Sequence, residues 1–543
     1  MNMKKILYAV SMALMVSLSG CSDFLDRVPS DALSPSTFWS SESDAQLALT
    51  GCYNKLESIY GGYNMIYWDC TSDNYFNNFS WEGYKTLSDG NNTADDTGHN
   101  CFDFLDIRAC NEFLENEQKV KWTSAATENQ YKSEARVLRA IFYFWKTECY
   151  GDFPFFTTVL ATPADGLVER TSVSTIRDFI VSELTDCIQY LPNKSDAVEG
   201  RINKQFCEGL LMRYYLYRGD YTNALKYANM IRDSKQVSIP VGVSYADCFL
   251  TANQYDSETI FDHSYIASTS MDLYDPPFLA NGMGGWSSVV PTLDLMDAFE
   301  CTDGKTIDQS PLYDPTEPFL NRDPRLRASI VYSGQPYSGY SKCYNSMPKQ
   351  IDGQSNPDYC TNADNSSKSG LQLGKYFQAA NINANNISST TLHFKVMRYA
   401  EVLLTIAESE IELNQNLSDA IDCINTIRTR AGMPKVDETV YNNQSSLRTL
   451  VRRERRVELN GEGLRRADLV RWGTITNILS KFKIQHLDGD ITSEKDSNGD
   501  YKVKVTGRSD IYTNYNFTDS HILCPIYQKY IDINPKLKQN PGY

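Results

Sequence analysis

Apolar side chains recur every three or four residues in several separate stretches of this chain, and each such stretch predicts an amphipathic helix. The first is expected to start near Ser40 or Ser41. Glu42 and Asp44 put acid in its first turn, at the positive end of the helix dipole, and Leu47, Leu49, Tyr53, Leu56 and Ile59 follow. Residues 60–100 lose that period and gain Gly, Asn, Asp and aromatic residues, which reads as a loop region. From 124 to 150 the period returns, with Ala135, Leu138, Ile141, Phe142 and Trp145 on one face, and Gly151-Asp152-Phe153-Pro154 ends it. Another helix is expected from about Val173 to Tyr190, before Pro192.

One pattern occurs twice. Tyr221, Ala224, Leu225, Ala228, Ile231 and Arg232 match Leu417, Ala420, Ile421, Ile424, Ile427 and Arg428 in spacing, and each set follows a helix (about 203–218 and 397–413) and a short polar turn. Helix, turn, helix with small residues at the crossing is the tetratricopeptide pattern. Stacked pairs bury each other's apolar faces, and two are too few for a stable array, so further, diverged pairs are expected within 42–190.

Between the copies, residues 235–396 are irregular and rich in Pro, Gly, Asn, Ser and Tyr. So long an irregular stretch in a compact chain points to function. A helical segment is expected at 447–480. A hairpin is expected at 486–508, turning at Asn498-Gly499, with Tyr501, Val503 and Val505 alternating after the turn. The tail from Ile533 to Tyr543 reads as a proline-punctuated extended end.

Composition narrows the function. The formal net charge of -16 repels phosphate and argues against a nucleic-acid binder. Lys4 and Lys5, the apolar Ile6 to Leu18, and Leu18-Ser19-Gly20-Cys21 read as a signal peptide over 1–20, cut before a cysteine that bacteria acylate. Each buried acyl methylene contributes about 0.8 kcal/mol, so several chains anchor firmly. Lipidation at Cys21 leaves 13 of 14 Cys, an odd number, with no CxxC pair and no pairing that sequence can assign.

Catalytic patterns are missing. The five His make no HExxH, and no GxSxG occurs. Gly370 to Tyr376 lacks a spacer and the Ser or Thr of a phosphate loop, and Gly461-Glu462-Gly463 lacks the third glycine of a dinucleotide site. No cofactor is expected. Asp496, Asn498 and Asp500 are a candidate for structural calcium, but a solvated hairpin turn accounts for them better. Arg452, Arg453, Arg455, Arg456, Arg465, Arg466 and Arg471, interleaved with Glu454, Glu458, Glu462 and Asp468, read as a salt-bridged structural face.

Several motifs carry a resemblance that runs nearly end to end: Cys21 to Asp26, Phe38-Trp39, Glu134 to Ala140, Tyr150 to Pro154, Arg398 to Leu404, Asn425 to Gly432, Arg453 to Leu459 with Gly463, Asp468, Leu469, Arg471 and Trp472, and Gln539 to Tyr543. With these the chain resembles the SusD/RagB family of outer-membrane nutrient-binding lipoproteins. The resemblance implies a mainly α fold of four tetratricopeptide-like helix pairs, an α-α superhelix, with an irregular, loop-rich ligand-binding half. It implies one domain over 21–543: a helical part at about 40–233, a loop-rich insertion at about 235–396 and a second helical part at about 397–543. It also implies a lipid-anchored, surface-exposed position on the outer membrane, a SusC-like TonB-dependent barrel as partner, and a role in polysaccharide uptake. The RagB side of the family implies peptides as an alternative ligand. A surface glycosidase and a ligand-free lid on the transporter are the competing classes.

A glycan binder needs aromatic faces for C–H patches and Asn, Asp or Arg for hydroxyls. Two regions supply them: Tyr63, Trp68, Asp73, Asn74, Tyr75 and Trp81 in 60–82, and Tyr274, Asn281 and Trp286 in 274–290. Trp81 and Trp286 are the first choices, because indole offers the largest face and both lie among turn-forming residues. Tyr337, Tyr340 and Tyr344 form a third set.

Overall fold

The computed structural model describes residues 38–265, 275–378, 380–382 and 390–543. Cys21 and Tyr274 lie outside them. Among the described residues, nine helices of twelve or more residues make the frame: α1 (Glu42–Asn54), α2 (Leu105–Asn116), α3 (Ala125–Tyr150), α4 (Val173–Cys187), α5 (Lys204–Tyr217), α6 (Tyr221–Ser234), α7 (Tyr399–Leu413), α8 (Leu417–Arg430) and α9 (Gln444–Glu458). α1 packs on α2, α3 on α4, α5 on α6 and α7 on α8. Contacts of α2 with α3, α4 with α5 and α6 with α7 stack these four pairs in chain order. The two pairs without a visible repeat are α1/α2 and α3/α4.

Local chemistry sets the ends. Ser41 and Asp44 form a capping box on α1, and the Ser124, Asn203 and Asp220 side chains accept N–H bonds at the starts of α3, α5 and α6. Ala224, Ala228 and Ala420 are fully buried at the crossings, as close helix approach requires. A Cβ on Gly209 of α5 would sit 2.1 Å from the Met397 sulfur. No helix of the described residues is long and apolar enough to cross a membrane.

The remaining chain lies over this frame with short antiparallel strands. β1 (Tyr75–Asn77) pairs with β3 (Val289–Pro291), and β2 (Thr259–His263) with β4 (Phe394–Arg398). β5 (Ile484–Lys495) and β6 (Tyr501–Tyr512) form the expected hairpin, longer at both ends than its alternation suggested. Two expectations change. Residues 60–100 are not simply a loop: they include helical turns at Asn64–Asp69 and Tyr84–Asp89 and run through the core. The helical stretch expected at 447–480 is three pieces, α9, Arg465–Arg471 and Ile475–Leu479. Gly463 breaks it with φ +78, and a Cβ there would meet the Met65 side chain at 2.9 Å.

A buried ionic network ties α7, α8 and α9 to the overlying chain. Arg398, fully buried, reaches Glu258 (2.8 Å), Glu458 (2.7 Å) and Glu462 (2.7 Å). Arg325 bridges Asp323, Glu454 and Glu458, and Arg428 bridges Glu300 and Glu454. The arginine cluster is structural. Arg455 and Arg471 both pair with Asp468 and Glu408, and Arg466 donates to the Thr71, His521 and Ile522 carbonyls.

Candidate functional site

Five of the residues selected from the sequence are core, not surface. Tyr63 is fully buried among Tyr265, Phe278, Tyr376, Phe377 and Phe394, and its hydroxyl donates to the Leu392 carbonyl at 2.7 Å. Trp68 packs edge-on against Trp145, 4.7 Å between centroids. Tyr75 is fully buried and donates to Asn460 at 2.7 Å. Asp73 is gripped by Arg465 and Arg456, and the Asn74 side-chain oxygen Oδ1 accepts from Arg456 Nε at 2.8 Å. Their polarity and aromaticity are spent on partners distant in sequence, so none has a face left for a polymer.

Trp81 is different. It sits on the single turn Ser80–Glu82 and is 74% exposed, the most exposed aromatic side chain among the described residues. Its ring stacks on Phe79, 5.6 Å between centroids at 28°. The turn is held from below: Asn77 and Tyr67 both donate to Glu82, and burial raises that carboxyl above its usual range. Phe79, which backs the indole, was missed. Its place two residues from Trp81 gave no signal without the turn geometry.

The structure brings the Trp286 loop beside this turn. The β1–β3 ladder continues as the Asn78 N–H donating to the Ser288 carbonyl at 2.8 Å, and the Asn77 side chain donates to the same carbonyl at 2.9 Å. Trp81 follows Asn78 by three residues and Trp286 precedes Ser288 by two, so the two indoles stand on adjoining loops. Trp286 is partly exposed, and its backbone N–H donates to the Pro276 carbonyl at 2.8 Å. Asn281 donates to the Pro357 carbonyl at 2.8 Å, and the Gly282 N–H donates to Asp358 at 2.9 Å.

Asp358 is the second missed residue. It also accepts from the Tyr340 hydroxyl, and burial raises its carboxyl while these two donors oppose the rise. In the third set Tyr337 and Tyr344 are buried and only Tyr340 reaches the surface in part. Tyr337 stacks on Tyr340, 6.0 Å apart at 24°. Beyond Tyr337 opens a groove of about 920 Å³, walled by Asn321, Arg327, Gln335, Gln378, Asn498 and Lys502. That volume suits an organic ligand. A cavity of about 110 Å³ beside Trp68 and Trp145, lined by apolar side chains with Glu148, Arg213, Glu462 and Arg466, is too small for a polymer.

The carboxylates of both metal candidates have protein partners. Both Asp500 oxygens accept from Arg327 at 2.7 and 2.8 Å, and Asp496 accepts from the Asn498 and Asp500 N–H groups. The hairpin turn thus uses the carboxylates suggested for calcium. Cys248, Asp256 and Glu258 converge, but Arg398, Arg430 and Lys395 already neutralise the two acids.

Stacked helix pairs lie under a loop layer from which the Trp81 indole stands exposed. The SusD family model matches residues 250–543, and a second model, described as "Starch-binding associating with outer membrane", matches residues 23–216. The chain belongs to the SusD family. It is 24% identical to a SusD-like protein of Formosa agariphila over 98% of each chain. It is 22% identical to one of Bacteroides ovatus over 86% of this chain and 82% of that one. Among solved structures it is similar to a SusD-like carbohydrate binding protein of Bacteroides fragilis, with 29% identity, a TM-score of 0.77, and 92% of this chain and all of that one covered. Surface glycan-binding protein A of Bacteroides thetaiotaomicron shares the fold at 19% identity and a TM-score of 0.65.

Proposed function

We propose that this chain is a non-catalytic, surface-exposed lipoprotein, anchored through Cys21, that captures an oligo- or polysaccharide and delivers it to a SusC-like TonB-dependent barrel. The observation that carries the reading is the Trp81 ring, held open to solvent on a braced turn beside the Trp286 loop. At 74% exposure the indole offers a broad apolar face to solvent. Sugar C–H faces stack on such rings, and Asn281 stands on the neighbouring loop. A polymer lying on this rim continues past Tyr340 toward the polar groove, an open course that suits a chain better than a closed pocket. Membership in the SusD family and the likeness to a carbohydrate binding protein support the ligand class.

Titrating the purified chain with a panel of polysaccharides tests the reading. The expected result is saturable heat for at least one glycan and no new reducing ends on long incubation. Heat from peptides alone would move the ligand class to the RagB side, and new reducing ends would make the chain an enzyme.

A further inference from the structure

The groove beyond Tyr337 is positive on a negative chain. Four basic side chains line it, Arg322, Arg327, Lys495 and Lys502, against two acidic ones, Asp323 and Asp496, while the whole chain carries -16. Both acids are occupied: Asp323 grips Arg325, and Asp496 accepts from the Asn498 and Asp500 N–H groups. Among the cations, Arg327 is matched by Asp500. Lys502 pairs with Glu494, whose side chain is 71% exposed, and such a surface pair is weak. Lys495 stands over the Tyr501 ring, 4.5 Å from its centroid, with no carboxylate partner among the described residues. Arg322 adds a buried cation, 6% exposed. Its terminal nitrogens donate to the Pro318, Met296 and Phe299 carbonyls at 2.6, 2.7 and 2.8 Å. Its Nε has no partner, and no carboxylate among the described residues lies within ion-pair distance of it. Arg325, three residues on, is raised by Asp323, Glu454 and Glu458 despite burial, whereas burial lowers Arg322. A buried cation without a counter-charge is costly, and an anion entering the groove supplies one. The turn that carries both lysines is fixed in place, because the Tyr501 N–H donates to the Gly334 carbonyl at 3.0 Å and Arg327 holds both Asp500 oxygens. At physiological salt a charge is screened within about 8 Å, so these nearby cations outweigh the distant net charge.

We propose that this groove is a subsite for an acidic sugar, whose carboxylate or sulfate group meets the positive charge of Arg322, Lys495 and Lys502. The proposal rests on the reading of the chain as a glycan binder and narrows its ligand to an anionic saccharide. A groove of about 920 Å³ has room for sugar rings as well as for the charged group. Hydrogen bonds from ammonium and guanidinium groups to an anion are the strong kind, so the groove would select for charge while the Trp81 rim holds ring faces of either sort.

Isothermal titration of the full chain with matched polymers tests this. Polygalacturonate and alginate are set against their carboxyl-reduced forms, and dextran sulfate against dextran. At least one acidic polymer should bind about tenfold or more tighter than its uncharged form, and the difference should shrink as sodium chloride rises. The arm that responds separates a uronate from a sulfate ester. The double variant Lys495→Gln, Lys502→Gln should keep the native urea midpoint, lose most of the preference for the acidic form and bind the uncharged form as before. Equal affinity for charged and uncharged forms overturns the proposal and leaves the glycan reading standing. So does an unchanged preference in the double variant, or tighter binding of polyglutamate than of any acidic polysaccharide. Binding of no polysaccharide at all overturns both.

Discussion

Arg465 holds Asp73 edge to edge, with Nε 2.8 Å from one carboxylate oxygen and Nη2 2.9 Å from the other. Arg456 adds a third contact at 3.1 Å. Burial alone would raise this carboxyl, but the two guanidinium groups hold it well below the usual range. Asp73→Ala leaves buried Arg465 without its carboxylate, while Arg456 keeps Asp294 at 2.6 Å, and an unpaired buried charge costs about 3–5 kcal/mol. Urea unfolding should show that loss. A variant of native stability with weakened glycan binding would instead return Asp73 to the binding site.

Trp81→Ala should leave stability within about 0.5 kcal/mol, as surface substitutions do. Glycan affinity should fall by about 1–2 kcal/mol, the size of a lost ring contact. Trp81→Phe should recover part of it, because a smaller ring still stacks. Isothermal titration with one glycan across the three chains checks the order, and equal affinities would remove the indole from the site.

Gly285 supports the Trp286 loop from beneath. A Cβ at that position would lie 2.2 Å from the Leu279 carbonyl oxygen, a backbone atom that cannot swing aside. Gly285→Ala should therefore shift the loop and weaken glycan binding about tenfold or more, roughly 1.4 kcal/mol. Far-ultraviolet circular dichroism from the helix pairs should stay unchanged. Native affinity in this variant would show that the loop's position does not matter to the ligand.

The ionic network sets an acid limit. Burial alone would raise Glu258, yet Arg430 and Arg398 hold it at about 2, and Arg430, Arg398 and Arg325 pull Glu458 lower still. These folded values lie below the roughly 4.3 of a free glutamate. The stabilisation is therefore complete above that pH and is lost as pH falls from about 4.5 toward 2. Urea midpoints from pH 6 to pH 3 should drop steeply at the acid end. A flat profile would mean the network does not stabilise the fold.

Asp275 acts in the opposite sense. It is buried, among the described residues neither carboxylate oxygen has a hydrogen-bond partner, and burial lifts it to about 7. The folded state therefore keeps a proton that the unfolded chain releases near pH 4, and stability contributed by this group is lost as pH rises from about 4 through 7. Asp275→Asn cannot ionise. The difference in urea midpoint between variant and wild type should favour the variant increasingly from pH 5 to pH 8. A constant difference would show that Asp275 does not titrate in that window.

The helical frame was legible because burial on one face of a helix repeats every three or four residues, and that period survives in the order of Ala135, Leu138, Ile141 and Phe142. The Ala224/Ala420 repeat, the Asn498-Gly499 turn and the arginine–glutamate interleaving were legible for the same reason: each rests on neighbours a few residues apart. Exposure has no such signature. Tyr63, Trp68, Tyr75 and Trp81 share one short aromatic and polar stretch, yet three are core and one stands in solvent. What separates them is contact with Leu392, Trp145, Asn460 and Arg466, residues far along the chain.

Sequence alone thus determined the helix pairs, the hairpin, the membership that their motifs carry and the structural role of the charged cluster. The visible repeat, the hairpin and the charged cluster follow from local period and spacing, and the membership from the resemblance of motifs. Only the tertiary structure decided that Asp73 and Asn74 belong to Arg456 and Arg465, that Phe79 backs Trp81, and that the β1–β3 ladder sets the Trp286 loop beside it. Those pairings span two hundred residues or more in most cases, and long-range proximity is fixed by how the whole core closes rather than by any pattern along the chain.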